Sequence, residues 1–296
     1  MKLQTAIAFS VFFGCPSLLC AQAASAPVNP LHRQYRDGEK LTYHMKGING
    51  AWHYEVDSNG LVKKDATGRF FEEYQWTHMI SDGQAITLSA SSADYRQRLT
   101  LDPAQIPSAP NLKNVDPKLI GPITDMMTFF ADLWLVNRLG ALKKAGDHFY
   151  FKNPMPPSSW ADGMHVLVGA DAIDFDMTLK SMDSTAGIAV IEVKHVPPQK
   201  SALPLKAAWM QEPVGTGANN WVEISKNADG KYEAGVGLEE FTVQLNVSLA
   251  DGHIVSATMQ NPVITIERLC DDEALTKCSD PRRHEILRQI EITSDK

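Results

Sequence analysis

The sequence lacks every complete motif that would assign it to a common class of enzyme. It contains no Gly-x-Ser-x-Gly elbow, no Ser-x-x-Lys pair, no Gly-x-x-x-x-Gly-Lys loop and no Gly-x-Gly-x-x-Gly fingerprint. His284 and Glu285 begin a pattern like that of a zinc-binding helix, but Arg288 stands where the second histidine would follow one turn later. We therefore predict no catalytic residue, no metal ligand and no cofactor, and we expect a non-catalytic protein.

Positive charge is in short supply as well. The chain has 28 lysine and arginine residues against 35 aspartate and glutamate residues, so its formal net charge is −7 at pH 7. A negative chain is repelled by the phosphates of nucleic acids and by anionic lipid head groups. The composition thus predicts no nucleic-acid partner.

Long apolar runs are absent except at the N-terminus. Lys2 precedes an apolar run from Leu3 to Cys20, and small residues follow it, which is the pattern of a cleavable secretory signal. We predict a signal peptide at residues 1–23, cleaved after Ala23, with residues 1–26 as the alternative. The mature chain, residues 24–296, is then expected in the periplasm or outside the cell, without a membrane span.

Cysteine is scarce, with four residues in the whole chain. Cys15 and Cys20 lie in the predicted signal, and a lipid anchor on one of them is an alternative. Small residues usually precede such a cysteine, whereas Cys20 follows Leu18-Leu19 and Cys15 follows Phe13-Gly14 in the middle of the apolar run. Cys270 and Cys278 would reach an oxidising compartment, where we predict a disulfide between them. Two unpaired thiols are the alternative.

Alternation of apolar and polar residues, typical of half-buried strands, recurs through most of the chain. Asn59-Gly60 predicts a two-residue hairpin. Glu72-Glu73 is interpreted as a pair of surface carboxylates, and the stretch from Gln199 to Asn220, with two prolines and two glycines, as a long surface connection. More than ten such strands joined by short turns predict an antiparallel sheet.

One segment breaks this alternation. Asp116 and Pro117 supply a capping residue and a first helical position, and Pro122 offers a second start for a helix from Ile123 to Leu139. Its polar stripe is too narrow for a surface helix, and its apolar run is too short to span a bilayer. We predict a mainly β fold, a β-rich α+β protein in which a large curved antiparallel sheet or unclosed barrel wraps around this buried helix. A division into two subdomains near residues 102–117 is the alternative.

The helix supplies the predicted ligand-binding residues. They share soft or aromatic side chains that can line a pocket for an apolar ligand such as a lipid, or for an envelope protein. These residues are Met126, Met127, Phe129, Phe130 and Trp134. One alternative is a purely structural or interaction protein, in which the helix only completes a close-packed core. A hydrolase assembled only in three dimensions is another, with Asp174 and Asp176 on one side of a strand as its candidate residues.

The opening strand motif carries a resemblance. Gly38-Glu39-Lys40-Leu41-Thr42-Tyr43, behind a signal peptide, resembles the start of uncharacterised exported bacterial β-rich proteins that begin with Gly-Glu-x-Leu-x-Tyr. The function of those families is unknown. The predicted architecture is similar to the lipoprotein-carrier half-barrels of the bacterial periplasm, which bind acyl chains between sheet and helix, and this implies a non-catalytic role in binding apolar ligands.

Overall fold

The computed structural model describes residues 29–102, 105, 112, 115–129, 140–152, 165–170, 174–197, 199–201, 203 and 205–296. The predicted signal peptide, the predicted end of the helix at Leu139, and the ligand-binding candidates Phe130 and Trp134 lie outside these residues.

In the described part of the chain, fourteen strands form one antiparallel sheet, and the prediction of a mainly β protein is confirmed. The strands are β1 Lys40–Asn49, β2 Trp52–Lys64, β3 Phe70–Ser81, β4 Gln84–Ala85, β5 Gln97–Thr100, β6 His148–Phe151, β7 His165–Ala170, β8 Asp174–Asp183, β9 Ile188–Val196, β10 Trp221–Lys226, β11 Tyr232–Glu239, β12 Thr242–Ser248, β13 Ile254–Cys270 and β14 Arg282–Asp295. The α-helices are α1 Ala90–Ala93 and α2 Pro117–Met127, and a 3-10 helix spans Ala208–Gln211.

The first and last strands lie side by side in the middle of the sheet. The main strand order is β4-β3-β2-β1-β14-β13-β12-β9-β8-β6, so the first and last strands are neighbours. The 17-residue β13 pairs with β12 along its first half and with β11 along its second, and β10 and β7 continue from β11. Because β4 and β6 do not pair with each other within the described residues, the sheet is unclosed.

The sheet wraps around α2. Leu119 and Ile123 of α2 are fully buried and share one apolar cluster with side chains from both halves of the sheet. Tyr54 on β2 and Ile191 on β9, which lie far apart in the strand order, both belong to this cluster. The curved sheet around a buried helix is therefore confirmed.

The helix α2 begins where the sequence predicts a helix start. Asp116 caps the helix by accepting a hydrogen bond from the backbone amide of Lys118 at 2.9 Å, and Pro117 occupies the first turn, where its missing N–H costs no hydrogen bond. Pro122, the alternative start, lies inside the helix.

The predicted hairpin at Asn59-Gly60 is wrong, because β2 runs straight through it. Gly60 instead lies beneath a buried side chain of the neighbouring strand. A Cβ atom there would lie 2.1 Å from Oε1 of Glu72 and 2.8 Å from the ring of Tyr43. A glycine inside a strand can mark such a close approach as readily as a turn.

The prediction of a surface connection from Gln199 to Asn220 is wrong at five described residues, which are buried: Leu203, Ala207, Met210, Asn219 and Asn220. Leu203, Ala207 and Met210 are buried in a second apolar cluster, which packs on β10 and β11. Asn219 makes this burial possible, since its amide donates to the carbonyl oxygens of Met210 at 2.8 Å and Glu212 at 2.9 Å. Buried backbone groups need such partners.

Candidate functional site

The described ligand-binding candidates come together where α2 meets the sheet. Met126 and Phe129 have no solvent exposure and belong to the larger apolar cluster, and Met127 is half-buried against it. Phe129 lies in a short π turn that follows α2. All three residues therefore belong to the contact between helix and sheet.

The apolar cluster that includes this contact contains several methionines. Five methionines are buried in the cluster around α2, out of 11 in the whole sequence, and they come from four strands and the helix. They are Met45, Met79, Met126, Met177 and Met259. Because the thioether chain is unbranched and polarizable, a surface lined by methionine can repack around bound groups of different shape.

One polar contact interrupts the apolar interface. Asp125 on the buried side of α2 accepts a hydrogen bond from the hydroxyl of Tyr54 and forms an ion pair with Arg288 of β14. The ring of Tyr54 covers Gly47, where a Cβ would lie 2.1 Å from a ring carbon. Desolvation raises the pKa of Tyr54 and lowers the pKa of Arg288. Such a contact holds the helix at one position and orientation on the sheet.

A second buried carboxyl group lies on β3. Glu72 is only 1% exposed, so the prediction that it is a surface carboxylate is wrong. The hydroxyl of Tyr43 donates to it at 2.7 Å. Burial raises the pKa of Glu72 to about 7, against the opposing hydrogen bonds from Tyr43 and Tyr74 and the charge of Arg33. Glu72 pairs with Val62 of β2, and its side chain reaches diagonally over Gly60. The local sequence carries no signal for this site, because the site depends on how β2 and β3 pair.

The N-terminal segment, residues 29–39, forms ion pairs near Glu72. The buried guanidinium of Arg33 contacts Glu39 at 2.8 Å and Asp251 at 3.9 Å, and Lys296 contacts both carboxylates. Desolvation raises the pKa of Glu39, but hydrogen bonds from Arg33 and Lys296 bring it below its ordinary value. The network joins the segment before β1 to the turn after β12 and to the C-terminal residue.

The face of the sheet opposite to α2 carries a groove of about 650 Å³. On its three central strands, six outward-pointing polar side chains form two rows across the strands. One row runs Thr242, Gln260, Gln289, and the other runs Gln244, Thr258, Glu291, each in register from β12 through β13 to β14. The sequence analysis did not identify this surface, because it depends on which strands are neighbours.

The hydrolase candidates Asp174 and Asp176 lie on β8, next to the edge strand β6. Asp174 accepts a hydrogen bond from the hydroxyl of Tyr150 at 2.8 Å, and Asp176 lies 3.5 Å from His148 in an exposed ion pair. Within the part of the chain that the structure describes, no group of three His, Cys, Asp or Glu side chains is placed to hold a metal ion.

The two remaining cysteines form a disulfide. The sulfur atoms of Cys270 and Cys278 are 2.01 Å apart, and the bridge closes the loop that follows β13. Cys270 and the loop residue Leu275 are both buried in the second apolar cluster, together with Met210. The loop is thereby held against the 3-10 helix.

The protein belongs to the mainly β class, with one unclosed antiparallel sheet around a buried helix. No protein-family model and no curated protein matches the chain. Two solved structures align weakly: MucB in complex with MucA(peri), at 11% identity over 86% of this chain and 88% of that one, and the MucA/MucB complex of Pseudomonas aeruginosa, at 12% identity over 88% and 90%. Their TM-scores of 0.19 and 0.18 are too low to define a common fold. Among the described helices, none has the length and hydropathy needed to cross a bilayer.

Proposed function

We propose that the chain is an exported, non-catalytic binding protein that holds an apolar chain, such as a lipid acyl group, between the curved sheet and α2. The observation that carries this proposal is the set of five buried methionines in the apolar cluster that includes α2. Acyl chains vary in length and bend, and a lining of methionine can follow them without a fixed cavity. Export rests on the predicted signal peptide at residues 1–23.

Binding requires the helix and sheet to separate locally, because Met126 and Phe129 are fully buried. The half-buried Met127 is the last residue of α2, and the half-buried Thr128 lies in the π turn that follows. Irregular turns of this kind are frequent at functional sites. The contact of Asp125 with Tyr54 and Arg288 would keep the rest of the helix in register. An acyl chain would therefore enter beside Met127 and pack against the buried methionines.

Native mass spectrometry of the protein purified from a bacterial periplasm tests this function. We expect lipid adducts, and we expect the purified protein to bind a dansyl-labelled fatty acid. Met127→Glu places a charge at the proposed opening and should weaken the probe at least about tenfold, since an unpaired buried charge is strongly disfavoured. Trp134→Ala is a second variant at a predicted ligand-binding position.

Leu287→Glu is the matched control. Leu287 is 47% exposed on β14, so a charge there should change neither probe binding nor folding. Protein that carries no lipid and does not bind the probe would contradict the proposal. Co-purification of an envelope protein in place of lipid would equally contradict an acyl ligand.

A further inference from the structure

The groove on the outer face of the sheet is separate from the proposed acyl site. Side chains alternate along a strand, so β12, β13 and β14 present Val243, Ala257 and Ile290 to the core and polar side chains to the groove. The groove contains two rows of three polar side chains, one from Thr242 to Gln289 and one from Gln244 to Glu291. Of the five buried methionines, Met259 also lines the groove. It is only 2% exposed, because its side chain belongs to the core.

The six side chains have unused hydrogen-bonding capacity. Within the described part of the chain, the side chains of Thr242, Gln244, Thr258, Gln260, Gln289 and Glu291 make no hydrogen bond and no ion pair. By contrast, Asn246 on the same face of β12 donates to Ser256 at 2.8 Å. Neighbouring positions are about 4.8 Å apart across strands and about 7 Å apart along them, so one ring-sized polar ligand reaches several side chains.

The charges of the groove select against charged ligands. Lys46 pairs with Glu55 at 3.1 Å, and Glu192 lies between Lys194 at 3.1 Å and Lys180 at 3.5 Å. Together with Glu291, these groups are three cations and three carboxylates, so their formal charges balance. The groove therefore attracts neither a polyanion nor a polycation strongly, and its electrostatic complement is a neutral polar molecule.

We propose that this groove binds a neutral glycan. Glutamine amides and threonine hydroxyls both donate and accept hydrogen bonds, as do the vicinal hydroxyl groups of a sugar. The volume of about 650 Å³ is within the range of small-molecule sites and accommodates a short run of sugar units. Ile48 and Ile80 line the same groove and supply apolar contact for the C–H faces of the rings.

Isothermal titration of the purified protein with cellohexaose, maltohexaose and N-acetylchitohexaose tests this proposal. We expect at least one of these neutral oligosaccharides to bind. Replacing both Gln260→Ala and Gln289→Ala should weaken that glycan at least about tenfold, because two adjacent amides lose their hydrogen bonds to it. Gln211→Ala is the control, since Gln211 is exposed in the 3-10 helix and does not line the groove.

The proposal is overturned if none of the three glycans binds, or if the double alanine variant binds as tightly as the parent while its circular dichroism is unchanged. Binding that appears only with charged glycans and disappears with added salt would also overturn it. The result is independent of the acyl site, because Met127→Glu should leave glycan binding unchanged.

Discussion

The buried carboxyl group of Glu72 should make the protein less stable as the pH rises. Its pKa is about 7 in the folded chain and 4.5 when unperturbed, with burial as the largest cause. Between these values the unfolded chain releases the proton while the folded chain retains it, so stability present at low pH is lost up to about pH 7. At about 1.4 kcal/mol per pH unit, the loss amounts to about 3 kcal/mol.

Glu72→Gln removes this titration and keeps an oxygen that accepts from Tyr43. The groups that face Glu72 are Tyr43 of β1, Tyr74 of β3, and Arg33 and Glu39 of the N-terminal segment. All of these residues remain in the variant. We expect parent and variant to differ little near pH 5, and the variant to be more stable by about 3 kcal/mol near pH 8.

Urea unfolding followed by tryptophan fluorescence at about pH 5 and about pH 8 measures this difference. Comparing the change with pH between the two proteins cancels the titration of all other groups. Glu73→Gln is the control, because Glu73 is half-buried and pairs with Lys63 at 2.7 Å outside the core. Parallel pH profiles for the parent and Glu72→Gln would refute the reasoning.

Three further substitutions test the packing. Gly60→Ala should lower the free energy of unfolding in urea by about 2 kcal/mol, because the added Cβ would lie 2.1 Å from the buried carboxyl oxygen of Glu72. Asp125→Leu should lower the free energy of unfolding by about 3 kcal/mol, because it leaves the desolvated cation of Arg288 unpaired. The double variant Asp125→Leu with Arg288→Met should lose clearly less. Equal losses in a double-mutant cycle would contradict this reasoning. Replacing Cys270 and Cys278 by serine should cost about 2.5 kcal/mol, and a reducing agent should then have no further effect on unfolding.

The architecture could be predicted from local sequence because its signals are local. Alternation in segments such as Lys40–Lys46 reports a half-buried strand, and Asp116 with Pro117 reports the start of a helix whatever the rest of the chain does. The predicted helix has only a narrow polar stripe, so another part of the fold must cover its apolar surface. These signals together predict a sheet wrapped around a helix, and the structure has one.

Features that depend on strand pairing could not be predicted in this way. Asn59-Gly60 has the same residues as a hairpin turn, and only the Glu72 side chain, which reaches over Gly60 from β3, shows why a glycine is needed. The segment from Leu203 to Asn220 has the composition of a loop, yet the amide of Asn219 satisfies its buried carbonyl groups. Both errors concern interactions between residues on different strands or turns.

The polar groove shows the same limit most clearly. Each strand alone predicts one polar face, since Thr242 and Gln244, Thr258 and Gln260, and Gln289 and Glu291 are each two residues apart. The site exists only because β13 lies between β12 and β14 in a register that aligns the three pairs. A shift of one residue in β13 would turn its polar side chains into the core and its apolar side chains into the groove. The apolar packing around α2 therefore determines the register, and through it the arrangement of the proposed glycan site on the opposite face.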